Sequence, residues 1–266
     1  MENWRGKWAL ITGASAGIGR AFASELAAGG TNLILTARRG DRLAELANEL
    51  HAKYKIEVEV QAADLAQPNA PAKLYEFTSR NGFDVDLLIN NAGFGVYGEF
   101  AKADIARELE MVQVNISAVV HLTRLYLPAM VTRRRGDILI LASTAAFQGV
   151  PYLNTYSATK AFDLHFAEAL AEEVKQYGIR VCALCPGSTT SEFSQVAGQP
   201  ANVLRRRESA EKVAHVGLKA LAGGKSYVIS GFKNYVGAHA QRLLSRRMVT
   251  RVVEKAFRPK SGANSK

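Results

Sequence analysis

Trp8-Ala9-Leu10-Ile11-Thr12-Gly13-Ala14-Ser15-Ala16-Gly17-Ile18-Gly19 sets a short apolar run directly against a glycine-rich turn, and Ile18 to Ala28 then alternate as an amphipathic helix does. Such a run ending in glycine reads as a buried strand that turns sharply. Glycines let the backbone bend and approach a bound group, while the following helix opens with free N–H groups and a partial positive charge. The turn is therefore suited to cradling phosphate. Its spacing, G-x-x-x-G-x-G, is one residue wider than the G-x-G-x-x-G of ordinary dinucleotide folds. A tight turn without a ligand is the plainer alternative, and the position after the first strand argues against it.

The same rhythm continues outward from this stretch. Strands are predicted at Trp8–Ile11, Leu33–Leu35, Ile56–Val60, Asp86–Ile89, Asp137–Leu141, Ile179–Leu184 and Ser226–Ile229, seven in all. Between them lie helical stretches at Ile18–Ala28, Arg42–Lys53, Lys73–Arg80, Ile105–Val131, Tyr156–Gln176 and Ala210–Leu221. Apolar strands joined by crossover helices make a parallel sheet covered on both faces. The expected fold is α/β, a single doubly wound Rossmann-type domain with a seven-stranded parallel sheet over residues 1–237. Residues 238–266 read as a basic amphipathic helix, drawn from His239 to Phe257, followed by a disordered tail from Arg258. No internal repeat and no long Pro/Gly/Ser linker divides the chain.

Of 266 residues 48% are hydrophobic and 22% charged, ordinary for a globular domain able to bury a core. No run reaches the roughly 18 uninterrupted apolar residues of a spanning helix, and the start lacks a signal-peptide core, so a cytoplasmic location is expected. The net charge of +10 is uneven: residues 200–266 hold 15 Lys and Arg against 3 Asp and Glu, which leaves the main body nearly neutral. Without interleaved aromatics or a binding motif, that excludes nucleic acid as the partner. Cys182 and Cys185 have C-x-x-C spacing. They fall in a branched apolar strand, where residues three apart point to opposite faces, so core packing is expected and a shared metal or disulfide is not.

Several side chains carry chemistry. Tyr156 and Lys160 stand four apart at the start of a helix, on one face, and an ammonium beside a phenol favours the phenolate. Ser143 ends a strand run, at the sheet edge where open α/β folds build their sites; a turn or capping serine is the alternative. Asn90-Asn91-Ala92-Gly93 follows the fourth strand. Asn115 lies inside an apolar helical stretch, where asparagine competes for backbone hydrogen bonds and needs a reason, structural or functional.

Taken together and in this order, Gly13/Gly17/Gly19, Asn90 to Gly93, Asn115, Ser143, and Tyr156 with Lys160 resemble the short-chain dehydrogenase/reductase family, over roughly residues 7–230. The resemblance implies that Tyr156 exchanges a proton with the substrate oxygen while hydride moves to or from a nicotinamide. Lys160 would hold the ribose and depress the tyrosine pKa, Ser143 would polarise the carbonyl, and Asn115 would position a water leading to solvent. The cofactor residues it implies are Gly13, Ser15, Ala16, Gly17, Ile18, Gly19, Asp64, Leu65, Asn91, Ala92 and Gly93. Pro186, Gly187, Thr189 and Ser191 resemble the family's P-G-x-x-x-T segment, with Ser191 in place of the threonine. It also implies a homo-oligomer, dimer or tetramer, built through the stretches 105–131 and 156–176.

Ala37 stands where an acid would bind the ribose of NAD, and Arg38 follows it, so NADP(H) is the expected cofactor. Ala16 lacks the second basic residue of many NADP-preferring relatives. No metal is expected. Phe94, Ala145, Phe147, Val150, Tyr152 and Phe193 give an apolar mouth, hence an apolar aldehyde, ketone or 3-oxoacyl-like carbonyl as substrate. Two rival readings are a hydroxysteroid-like dehydrogenase working oxidatively and a non-catalytic NADP(H)-binding sensor or scaffold. The basic helix sets Leu244, Met248, Val249, Val252, Val253 and Ala256 on one half and Arg246, Arg247 and Arg251 opposite. It is expected to dock on its own domain, with a membrane surface or a partner subunit as alternatives.

Overall fold

In the computed structural model, which describes residues 2–199 and 207–259, the apolar runs become strands and the amphipathic stretches pack over them. The order is β1 (Trp8–Thr12), α1 (Gly17–Ala28), β2 (Asn32–Thr36), α2 (Gly40–Tyr54), β3 (Val58–Val60), α3 (Ala70–Arg80), β4 (Val85–Asn90), α4 (Ile105–Val112) and α5 (Ala118–Arg133). Then follow β5 (Gly136–Leu141), α6 (Asn154–Val174), β6 (Ile179–Cys185), α7 (Phe193–Val196), α8 (Ala210–Ala222), β7 (Tyr227–Ile229), α9 (Phe232–Ala240) and α10 (Arg246–Phe257). The sheet runs β3-β2-β1-β4-β5-β6-β7 with all pairings parallel. This is the doubly wound arrangement expected from the sequence. Strand order reverses between β1 and β4, and the crevice beyond the carboxyl ends of those strands is where such sheets hold ligands.

Two cores cover the sheet. One gathers Leu10, Leu88, Ile138 and Cys185 with Met111, Leu122, Tyr126 and Leu164 of α4, α5 and α6. The other gathers Ile11, Leu87, Leu139 and Cys182 with Phe22, Leu46 and Leu218 of α1, α2 and α8. Cys182 and Cys185 thus lie on opposite faces of β6, both buried and free. Burial pushes the Cys182 thiol up to about 12, so both act as small apolar groups.

Boundaries differ from the sequence expectation in a few places. The third strand begins at Val58 rather than Ile56, since only Val58 to Val60 pair with β2. The stretch expected as one regular helix from Ile105 is interrupted by a π-helical segment, Gln113–Ser117. The whole helix Ile105–Arg133 is long and apolar enough to cross a membrane, yet 44% of its apolar window is buried in the fold. The C-terminal helix does not start at His239: α9 ends at Ala240, and α10 starts afresh where Ser245 accepts a hydrogen bond from the Met248 N–H, 3.3 Å. Neither α7 nor α9 was expected. Of the tail, residues 260–266 lie outside the described residues.

Candidate active site

The glycine turn is held by the residues that follow β4. Thr12 Oγ1 accepts hydrogen bonds from the backbone of Asn91 and Ala92, each 2.9 Å, and Asn91 Nδ2 donates to the carbonyls of Thr12, 2.8 Å, and Gly13, 3.3 Å. Gly13 needs its glycine because φ is +67°. At Gly19 a Cβ would collide with the Gly13 carbonyl oxygen and lie 2.6 Å from the Asn91 amide. The N-terminus of α1 has no side-chain cap, because its N-cap residue is Ala16. Its leading N–H groups are left to a ligand.

A cleft of about 310 Å³ opens there. Gly13, Ser15, Ala16, Gly17, Ile18, Gly19, Arg38, Asp64, Leu65, Asn91, Ala92, Gly93 and Ser191 all line it. The side chain of Asn91 is occupied in bracing the turn, so its part is positional. Pro186, Gly187 and Thr189 lie outside the lining. Pro186 accepts from Thr144 N at 2.9 Å, Thr189 Oγ1 donates to Gly187 O at 3.1 Å, and a Cβ at Gly187 would run into Asn234. These three shape the segment beside the cleft.

Sequence reasoning singled out Arg38 and missed Arg39. Arg38 approaches Glu110 at 3.5 Å and is 57% exposed. Arg39 reaches back over the turn, donating from Nε and Nη2 to Ser15 Oγ at 3.3 and 3.1 Å, and from Nη1 to Glu192 at 2.8 Å. Arg42 holds the other Glu192 oxygen at 2.7 Å, and the two arginines draw that carboxyl below its usual range. Arginine forks match phosphate geometry. The strand-end glycines, the uncapped helix and the two arginines of the lining, Arg38 and Arg39, together fit a dinucleotide carrying a ribose phosphate.

Beyond Leu141, which lines the cleft, Ser143 follows β5 in extended conformation, outside the lining, and caps a short 3-10 turn, Thr144–Phe147, by accepting from Ala145 N, 3.1 Å. It is also near enough to Tyr156 to lower the pKa of that phenol. Tyr156 stands in the first turn of α6, with Lys160 Nζ 5.9 Å from its ring. Lys160 is buried and donates to Leu141 O at 2.6 Å and to Asp163 Oδ2 at 2.9 Å. Asn115 sits in the π segment, a distortion frequent at functional sites. Its Nδ2 donates to Phe94 O, 2.9 Å, and Thr159 Oγ1, 3.0 Å, while its Oδ1 accepts from Phe94 N, 3.1 Å. A Cβ at Gly93 would lie 3.1 Å from Asn115 Oδ1 and 3.5 Å from Lys160 Nζ, so that glycine lets the two approach. Ser143, Tyr156, Lys160 and Asn115 therefore converge.

One electrostatic expectation is corrected. Burial pushes the Tyr156 phenol above its ordinary value; Lys160 and Ser143 pull it down, and Asp163 and Cys185 add to the rise. The ammonium acts in the expected direction, but the net shift is upward because desolvation outweighs it. Asp163 was not anticipated, although its i+3 spacing from Lys160 was readable.

The expected apolar mouth is partly redrawn. Phe94 and Phe193 line the cleft together with Val114 and Val196, and the Phe193 ring lies 5.0 Å from that of Tyr156. Val150 and Phe147 turn instead toward the core. Tyr152 faces α10: its hydroxyl donates to Glu254 at 3.1 Å, and Tyr97 donates to Phe257 O at 2.6 Å. Val249 and Val253 of α10 are half-buried, while Leu244, Met248 and Val252 stay exposed. The apolar half expected of that helix is thus split into a docked and an undocked stripe.

Residues 7–202 match the family model for short chain dehydrogenase. The chain is 36% identical over 195 residues to the very-long-chain 3-oxoacyl-CoA reductase-B of Danio rerio, an alignment covering 72% of this chain and 62% of that protein. It thus spans about three fifths of that relative's length. Among solved structures it is similar to a short-chain dehydrogenase from Sphingobium yanoikuyae in complex with NADPH, with TM-score 0.82 and 28% identity over 98% of this chain and 99% of that one. A structure described for 7beta-hydroxysteroid dehydrogenase stereoselectivity aligns with TM-score 0.85 and 26% identity, over 95% and 98% of the two chains.

Proposed function

The chain belongs to the short-chain dehydrogenase/reductase family, and from that premise we propose that it is an NADP(H)-dependent oxidoreductase that reduces an apolar, 3-oxoacyl-like carbonyl to the alcohol. The observation that carries this reading is the convergence of Ser143, Tyr156 and Lys160 at the carboxyl end of β5, beside a cleft framed by the glycine turn and the Arg39 fork. When bound, the nicotinamide supplies the hydride. Ser143 donates a hydrogen bond to the carbonyl oxygen and fixes its place. Tyr156 gives that oxygen its phenolic proton, and the Lys160 ammonium stabilises the phenolate left behind. Because the phenol's pKa lies above its ordinary value, Tyr156 is protonated at neutral pH, the state that reduction requires. A scaffold that merely binds nucleotide has no use for this proton donor.

Phe94, Phe193, Val114 and Val196 give the cleft an apolar wall, which suits an acyl chain or another apolar carbonyl better than a charged sugar. The relatives named as 3-oxoacyl-CoA reductases support the same substrate class. The test is a panel of aldehydes, ketones and 3-oxoacyl thioesters, followed by the loss of NADPH absorbance, with Tyr156→Phe as control. We expect turnover of apolar carbonyls by the wild type and a fall of roughly 10²–10⁴-fold in the variant. Equal inertness of the two, with NADPH still bound, refutes the enzyme.

Three broader assignments accompany this reading. Ile105 and Leu109 on α4 are 64% and 61% exposed, and Phe162 stacks on Phe166 along α6 at 5.6 Å; this apolar band is where a second copy pairs. We propose that the protein acts in the cytoplasm. It touches membranes peripherally through the exposed stripe of α10, where Arg247, Arg251 and Lys255 flank Met248 and Val252.

A further inference from the structure

Asp163 has no part in the chemistry described so far, yet it is fully buried and lies 2.9 Å from the Lys160 ammonium. Its second oxygen, Oδ1, is buried without a hydrogen-bond partner among the described residues. A buried carboxylate with an unsatisfied oxygen is costly, and an apolar side chain of similar size often serves stability better at such a position. The cost falls one helical turn from Lys160 and two turns from Tyr156 on the same helix, which points to a purpose at the site.

We infer that Asp163 is a positioning residue that holds Lys160 and, by neutralising its charge, raises the pH at which Tyr156 gives up its proton. The inference rests on the reading of Tyr156 as proton donor. With Asp163 ionised, the cluster of Tyr156 phenol, Lys160 ammonium and Asp163 carboxylate has no net charge, and loss of the phenolic proton makes it a buried anion. Without the carboxylate the same cluster carries one positive charge, and losing a proton makes it neutral. Deprotonation is then favoured, and the coupled pair of Tyr156 and Lys160 titrates at lower pH. From β6 the Cys185 thiol faces the pair, pushed up by burial and hence neutral. Ser143 and Asn115, which complete the surroundings, carry no charge.

Asp163 itself is pushed up to about 6 by burial, against the pull of Lys160. Its influence is therefore present above that pH and fades below it. Asp163 thus holds the phenol in the protonated form that reduction consumes and lowers the fraction of phenolate that oxidation needs until the pH is high.

The test compares wild type, Asp163→Asn, Asp163→Val and Asp163→Glu by two readouts. The first is the pH profile of kcat/KM for alcohol oxidation, and the second is the near-ultraviolet absorbance of tyrosinate, assigned to Tyr156 by difference against Tyr156→Phe. In Asp163→Asn the acid limb of oxidation and the Tyr156 titration are expected to move down by about one pH unit or more, as loss of a buried charge at this range predicts. Asp163→Val shows the same shift, and Asp163→Glu returns toward wild type. A Tyr156 titration unmoved in whichever of the Asn and Val variants folds overturns the inference, whatever the activity. Absence of turnover in wild type, with the titration shifted as stated, overturns the proposed function and leaves this inference standing.

Discussion

At the scale of single residues, the two neighbouring arginines that follow β2 both line the cleft but differ in what they touch, and the proposed recognition of a ribose phosphate is assigned to the second. Arg38 is more than half exposed and meets Glu110 only at 3.5 Å, whereas Arg39 spans the glycine turn to Ser15 and is aimed there by Glu192. Arg39→Ala is expected to lower kcat/KM for NADPH by about 10- to 100-fold, the loss of a charge-assisted fork, and to leave NADH nearly unchanged. Measuring both cofactors against Arg38→Ala decides which guanidinium matters more. A larger NADPH loss in the Arg38 variant refutes the assignment to Arg39.

At the scale of elements, the strand-turn-helix unit of β1 and α1 is closed so tightly that one methyl is too much. Gly19→Ala would set its Cβ against the Gly13 carbonyl oxygen and the Asn91 amide. A loss of about 2–4 kcal/mol in unfolding free energy is expected, in the range of steric overpacking, with weakened NADPH binding. Thermal melts and fluorescence titration check this, and an unchanged melting temperature contradicts it. This unit was legible in the sequence because glycine spacing and strand periodicity are local. So were the sheet, the convergence of Ser143, Tyr156 and Lys160, and the assignment of both cysteines to the core. Asn115 was flagged as an anomaly, but its π segment was not, since a bulge leaves no periodic mark in a run that is apolar throughout. Glu192 and the turn of Tyr152 toward α10 were hidden for another reason: each is fixed by a partner 100 or more residues away. The split of α10 into two apolar stripes likewise depends on what it docks against, which no helical wheel contains.

At the scale of the whole molecule, the charge and the exposed apolar surface coincide. Residues 200–266 carry more positive charge than the chain's net value, the rest being slightly acidic, and in this same region Phe232, Leu243, Met248 and Val252 are between 52% and 89% exposed. Docking of α10 through Tyr97 and Tyr152 uses its other face, so attachment to the domain and contact with a lipid surface are compatible. The protein is expected to sediment with vesicles containing anionic lipid, to release as salt is raised, and to ignore neutral vesicles. The double substitution Arg247→Glu with Arg251→Glu should abolish sedimentation without altering the melt; if sedimentation persists, the membrane assignment fails. Light scattering of the same samples reads the pairing proposed for α4 and α6, which a monomer at working concentration would refute.

The two cysteines of β6 have a use that follows from their placement in different layers. Cys182 belongs to the layer of α1, α2 and α8, and Cys185 to that of α4, α5 and α6. Both are fully buried, so neither thiol meets a reagent until its own layer parts from the sheet. Left one at a time by Cys→Ala replacement, they are clocks wired to opposite sides of one strand. Their labelling rates report whether the cofactor side or the catalytic side of the fold opens first.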